Sequence, residues 1–177
     1  MTRSTPDGMP YAEIPNDQVA GSARSFRETA DFLNTHREEL NCVAPLLMVA
    51  AFGIELFLKS LNSKCEYRLD DVSVPEDGYW VTAEPLKRDH SLVLLLDAID
   101  TQFRKGLDEA YSANPVIGGK TTLKDALSVY DKLFVGIRYH FDGKLDLRGV
   151  SISGLIELLD LIADHVGSLP KVWVLES

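Results

Sequence analysis

The sequence predicts a mainly α protein, an up-and-down helical bundle of about five helices with a small inserted β-hairpin. Residues 42–62, CVAPLLMVAAFGIELFLKSLN, are apolar on nearly every side, so a helix there must be covered by neighbours all round. Apolar residues at spacings of three and four recur before and after this segment, the signature of amphipathic helices. Between about residues 66 and 84 the texture changes to alternation, with YRLDDVSV and GYWVTAE flanking Pro75-Glu76-Asp77-Gly78. That turn, with Pro early and Gly at its exit, predicts a hairpin.

The helices follow in order. Asp17 to Glu39 places Val19, Ala23, Phe26, Ala30 and Leu33 on one stripe, a first helix. Asn41 stands at the expected N-cap of the apolar helix, and Pro45 falls in its first turn, where a missing N–H costs least. After the hairpin, Leu92, Leu95, Leu96, Ile99 and Phe103 mark a third helix behind Asp89 or Ser91, continuing toward Tyr111. SANPVIGG is a loop. Thr122 and Asp125 then form a variant capping box before a fourth helix through Leu127, Tyr130, Leu133, Phe134 and Ile137, fraying near His140. Ser151 or Ser153 caps a fifth helix through Leu155, Leu158, Leu159 and Ile162, with Gly167 as its stop.

The domain boundaries follow from these elements. Residues 1–16, rich in Pro, Asp and Gly, read as a flexible N-terminal tail. Residues 17–169 read as one helical domain, and 170–177 as a C-terminal tail. A chain of 177 residues, 45% hydrophobic and 25% charged, matches one ordinary domain that buries a core without disulfides or metals.

Charge and cysteine content narrow the function classes. A net charge of −9 disfavours strong nonspecific nucleic-acid binding, which depends on clustered Lys and Arg neutralising phosphates. A local basic pocket remains open, from Lys87 with Arg88 or from Arg138 with Lys144 and Arg148. Cys42 and Cys65 are expected as free thiols in a reducing cytoplasm. The N-terminal segment lacks the apolar core of a signal peptide. The longest uncharged stretch, Leu40 to Ile54, falls short of the roughly 20 residues of a bilayer span, so no membrane association is expected.

Several motifs read as structural. Gly118-Gly119-Lys120-Thr121 is like the end of a P-loop, but Asn114 stands where that motif requires glycine, so a loop before a capped helix is expected. His36, His90, His140 and His165 lack the paired spacing of a metal site. Neither cysteine has an evident base beside it. No metal and no cofactor are expected.

Glu55 and Lys59 carry more information, because a spacing of four places both on one face of a helix otherwise built to be buried. Their plain reading is an ion pair at the core edge, with Lys59 extending its ammonium to water. Their functional reading has Glu55 reach Arg138, whose planar guanidinium can hold a carboxylate bidentately. With His90 and Tyr139 nearby, such a group forms a polar pocket for an anion or a base.

The order FGIELFLKSL, RDHSLVLLLDAI, LFVGIRYHFDG resembles HEPN-like helical bundles over most of residues 20–168. In many of these a helix carrying Glu and Lys precedes a His at the head of the next helix and an Arg-Tyr dipeptide near the end of another. The matching positions are Glu55, Lys59, His90, Arg138 and Tyr139, and the resemblance implies a bundle that is often a homodimer. Nuclease members carry an Arg followed four to six residues later by a His acting as general acid/base. This chain departs from that pattern: one residue separates Arg88 from His90 and Arg138 from His140, and no His follows Arg148 before His165. The expectation is therefore a noncatalytic module that binds a small anionic or nucleotide-like ligand, or a protein partner. The alternatives are a ribonuclease of a toxin-antitoxin or phage-defence system, acting on RNA with His90 or His140 and Arg138, and a purely structural dimerisation module.

Overall fold

The computed structural model describes residues 8–68, 80–119, 121–131, 133–138 and 149–175, the side chains of residues 68 and 80 excepted. The elements run β1 (Pro10–Ile14), α1 (Asp17–Thr35), α2 (Arg37–Leu40), α3 (Val43–Ser60), β2 (Ser63–Arg68) and β3 (Trp80–Pro85). They continue with α4 (Leu92–Asp97), α5 (Thr101–Ala113), α6 (Leu123–Val129), α7 (Leu133–Arg138), α8 (Ile152–Ser168) and β4 (Val172–Leu175). The protein is mainly α, a helical bundle with two small antiparallel two-stranded sheets, β1-β4 and β2-β3.

The apolar segment is the axis of the bundle. Leu46, Leu47, Ala50, Ala51, Ile54, Phe57 and Leu58 of α3 are all buried, because α1, α4, α7 and α8 surround the helix. By length and composition alone α3 could cross a membrane, yet here its neighbours cover it. Small residues bring those neighbours close: Ala20, Ala23 and Ala30 are the buried positions of α1. On α3, a Cβ at Gly53 would stand 3.1 Å from Leu159 Cδ1 of α8 and 3.5 Å from Phe26 Cβ of α1. Leu155, Leu158, Leu159 and Ile162 line the buried face of α8.

Several helix starts are those the sequence predicts. Ser91 accepts from Leu94 N, Ser151 accepts from Gly154 N, and Thr122 with Asp125 makes a full capping box. Each satisfies N–H groups that the first helical turn leaves free.

Other boundaries differ from expectation. The first helical stretch ends at Thr35 and restarts as the short α2. Asn41 does not cap α3: its backbone is left-handed at φ 48°, closing α2, and Cys42 precedes α3 without a side-chain cap. Asn tolerates that conformation better than most residues. The third helix is split at residues 98–100, where Asp100 accepts from Gln102 N and so begins α5 as a new helix. The fourth is split after Val129, with Tyr130 held inward by a 3.1 Å bond to the Ser151 carbonyl. Gly167 does not stop α8, which runs to Ser168.

The hairpin pairs Ser63 with Pro85 through Arg68 with Trp80, starting three residues earlier than predicted. Its predicted turn, Pro75 to Gly78, lies outside the described residues. Both stretches read as tails contain paired strands, Ile14 standing opposite Val172 and Pro10 opposite Leu175. Tyr67 Oη donates to the Pro10 carbonyl at 2.6 Å, and Lys171 bonds Asp17 and lies 3.2 Å from Glu13. Those side-chain ties order strands too short to be conspicuous in a hydropathy pattern.

Candidate functional site

Three of the five expected site residues meet at one carboxylate. Glu55, on the buried side of α3, is 0% exposed. One turn on, Lys59 Nζ lies 2.7 Å from Glu55 Oε1, its side chain 14% exposed. Lys59 therefore turns along the helix to its partner and does not extend to water. His90, in the segment between β3 and α4, places Nδ1 3.0 Å from Oε1 and 3.2 Å from Oε2 of Glu55.

The local sequence positions that imidazole. Asp89 Oδ1 accepts from the backbone N–H groups of His90 and Ser91, at 2.8 and 2.9 Å, while Ser91 caps α4. The chain thus turns tightly just before α4, and the His90 ring folds back onto α3. Its side chain is 52% exposed, and Nε2 has no hydrogen-bond partner among the described residues. The arrangement is a buried carboxylate that orients a half-exposed imidazole.

Arg138 is brought near the group by a different route. Its guanidinium lies over the Phe134 ring, 5.4 Å from the centroid, rather than on Glu55 as expected. Among the described residues it has no carboxylate partner, and it is exposed at the end of α7. The physical reason is that Lys59 and His90 already occupy the Glu55 oxygens, while the Phe134 face offers a cation a favourable quadrupole. Tyr139 lies outside the described residues, as do His140, Lys144 and Arg148.

Phe134 is the element that sequence reasoning missed in this role. Its ring stacks on Phe52 of α3 at 4.3 Å and 17°, and Phe52 meets Phe26 of α1 edge-on at 4.8 Å. His90 sits 5.8 Å from the same Phe134 ring. Phe134 thus lies beside both the imidazole and the guanidinium and ties them to the aromatic cluster of the core. These phenylalanines were legible only as members of apolar stripes, since their ring geometry depends on how α1, α3 and α7 pack.

Chemically, the group joins one carboxylate, one ammonium, one imidazole and a nearby guanidinium. Glu55 and Lys59 pair with each other, leaving the half-exposed His90 ring and the exposed Arg138 guanidinium as donors at the surface. That is a surface suited to an anion.

The remaining motifs have structural roles. Asn114 Oδ1 accepts from Val116 N and Ile117 N, closing the loop that precedes the glycine pair. A Cβ at Gly118 would come within 2.2 Å of the Tyr111 carbonyl, so glycine is required there for backbone approach. Lys120 lies outside the described residues. Cys42 and Cys65 are both free and buried. His165 packs against Gly106 of α5, its Nε2 buried without a partner, and burial pushes its pKa down.

No family model matches the chain, and no curated protein or solved structure matches it either.

Proposed function

We propose that the protein is a noncatalytic, HEPN-like helical module that binds a small anionic or nucleotide-like ligand at His90 and Arg138. The observation that carries this reading is the bond from His90 Nδ1 to the fully buried Glu55 carboxylate. A buried carboxylate is costly unless its partners and geometry are held, and here it fixes the orientation of an imidazole that is half in solvent. Arg138, over the neighbouring Phe134 ring and without a carboxylate partner among the described residues, supplies a planar donor for phosphate. Tyr139, beside it in sequence, belongs to the same proposed site.

A thermal-shift panel with inorganic phosphate, AMP and ATP tests the reading. A rise in melting temperature with one of these, lost in Arg138→Ala and in His90→Ala, is the expected result. No shift with any of the three would sink it and favour a purely structural dimerisation module or a site for a protein partner.

The same His90–Glu55 bond favours one second reading. An imidazole held at Nδ1 by a carboxylate, with Nε2 free, is placed as a general base or acid. In that reading the protein is a ribonuclease of the toxin-antitoxin or phage-defence type, with Arg138 steadying the phosphate. RNA incubated with the wild type, His90→Ala and His140→Ala separates the two readings, since an enzyme loses cleavage in one variant and a binding module never cleaves.

A further inference from the structure

The His90 ring is held in one orientation with one nitrogen left open. Glu55 Oε1 lies 2.7 Å from Lys59 Nζ and 3.0 Å from His90 Nδ1, and the carboxylate is buried. A carboxylate paired with an ammonium only accepts hydrogen bonds, which assigns a hydrogen to Nδ1. In the neutral ring the lone pair then stands on Nε2. That nitrogen has no partner among the described residues, and the His90 side chain is 52% exposed. The carboxylate nearest in sequence, Asp89, is turned to the backbone N–H groups of His90 and Ser91. Arg138 lies beside the same Phe134 ring as the imidazole, exposed and without a carboxylate partner among the described residues. Arg88, in contrast, is taken by Glu84.

The other described histidines lack this combination. His36 Nδ1 bonds the neutral Phe32 carbonyl, and its ring lies against the Phe32 ring. His165 Nε2 is buried against Gly106. A lone pair directed outward, with a carboxylate behind the ring, suits an imidazole to act as a nucleophile. Positive charge that develops on the ring as Nε2 forms a bond is met by the carboxylate at Nδ1. An exposed guanidinium fork alongside favours an incoming group whose oxygens are anionic.

We propose that His90 Nε2 is an acceptor site for a phosphoryl group, taken from a small donor with a reactive P–N or acyl-phosphate bond. The Nε2 lone pair forms the new N–P bond while the donor's bond to phosphorus breaks, and the leaving group departs with that electron pair. Nδ1 keeps its hydrogen, so the ring becomes positive and stays paired with Glu55, and Arg138 holds phosphoryl oxygens. Transfer uses the same two side chains as the proposed ligand site and does not require that ligand.

The full chain incubated with phosphoramidate, from which ammonia leaves with the P–N electron pair, tests the site by intact mass, phosphorus NMR and peptide mapping. In the wild type the first phosphoryl group should appear on His90, at a rate about tenfold above that of His36, the ratio that one charge-assisted hydrogen bond supplies. His90→Ala should lose that first group, and Arg138→Ala should acquire it more slowly by a similar factor. The double variant Lys59→Met with Glu55→Gln removes the carboxylate without leaving an unpaired ammonium. It should bring His90 down to the rate of His36 while keeping the helical circular dichroism of the wild type. Equal rates at His36 and His90 in the wild type, or a first group on any other residue, overturn the proposal. So does an Arg138→Ala or double variant that is modified as fast as the wild type. Nucleotides that fail to shift the melting temperature leave these rates untouched, so ligand binding and phosphoryl transfer fail separately.

Discussion

The Lys59 ammonium lies 2.7 Å from the Glu55 carboxylate one helical turn before it, with Glu55 fully buried and Lys59 nearly so. Removing one member of such a pair leaves a charge in the core, which costs about 3 kcal/mol or more. Lys59→Met should therefore lower unfolding stability by about that amount in urea titration. Adding Glu55→Gln to it should recover at least half of the loss, since the stranded charge is gone. A double variant no more stable than Lys59→Met would show that the carboxylate is not what Lys59 stabilises.

Arg27 makes the contrast that isolates burial from distance. It lies 2.7 Å from Asp160 and 2.7 Å from Asp164, but Asp164 is 71% exposed, and Arg27 and Asp160, at 29% and 34%, are far more open to solvent than Glu55 and Lys59. Screened pairs of this kind contribute about 1 kcal/mol or less. Arg27→Met is expected to stay within that limit, a third or less of the Lys59→Met effect in the same titration. Equal effects would show that geometry, not burial, sets the contribution.

Gly53 lies where α1, α3 and α8 meet. Gly53→Ala adds a methyl 3.1 Å from Leu159 Cδ1, and the helix propensity it gains, about 1 kcal/mol, offsets the crowding. Gly53→Val adds two further carbons with no space to enter, and overpacking of that order costs about 2 kcal/mol. The pair of melting temperatures should thus separate, with alanine near the wild type and valine clearly below it.

His165 sets a pH dependence with a definite sign. Burial lowers its folded-state pKa below the ordinary 6.5, so the unfolded chain takes up the proton first as pH falls. Its contribution is complete above pH 6.5 and declines below that value until the folded pKa is reached. The carboxyls of Glu84, Asp97 and Asp125 are held below their usual range, by Lys64, by Lys124 and by Thr122 respectively, so their stabilisation is lost only at more acid pH. Asp160, raised by burial, acts with the opposite sign near that lower range. Urea midpoints measured from pH 7.5 to 5 should fall in the wild type and fall less in His165→Gln; parallel curves would refute the assignment.

What could be read in the sequence was what neighbours along the chain decide. The apolar run around Phe57 required a central helix, and the spacing of four required Glu55 and Lys59 to share a face. Thr122 with Asp125, Ser91 and Ser151 announced helix starts, because a cap bonds N–H groups two or three residues away. The splits at Asp100 and after Val129 were harder to see, since the apolar stripe continues through both and only the competing local bonds interrupt the helix.

The tertiary structure alone decided what lies beyond that range. His90 reaches Glu55 across 35 positions, Arg138 takes the face of Phe134 instead of the carboxylate, and the two ends of the chain pair as β1 and β4. Periodicity and capping record interactions within one or two helical turns. Which distant side chain wins a buried oxygen, an aromatic face or a strand edge depends on how whole helices pack, where several partners of the right chemistry compete and geometry selects one.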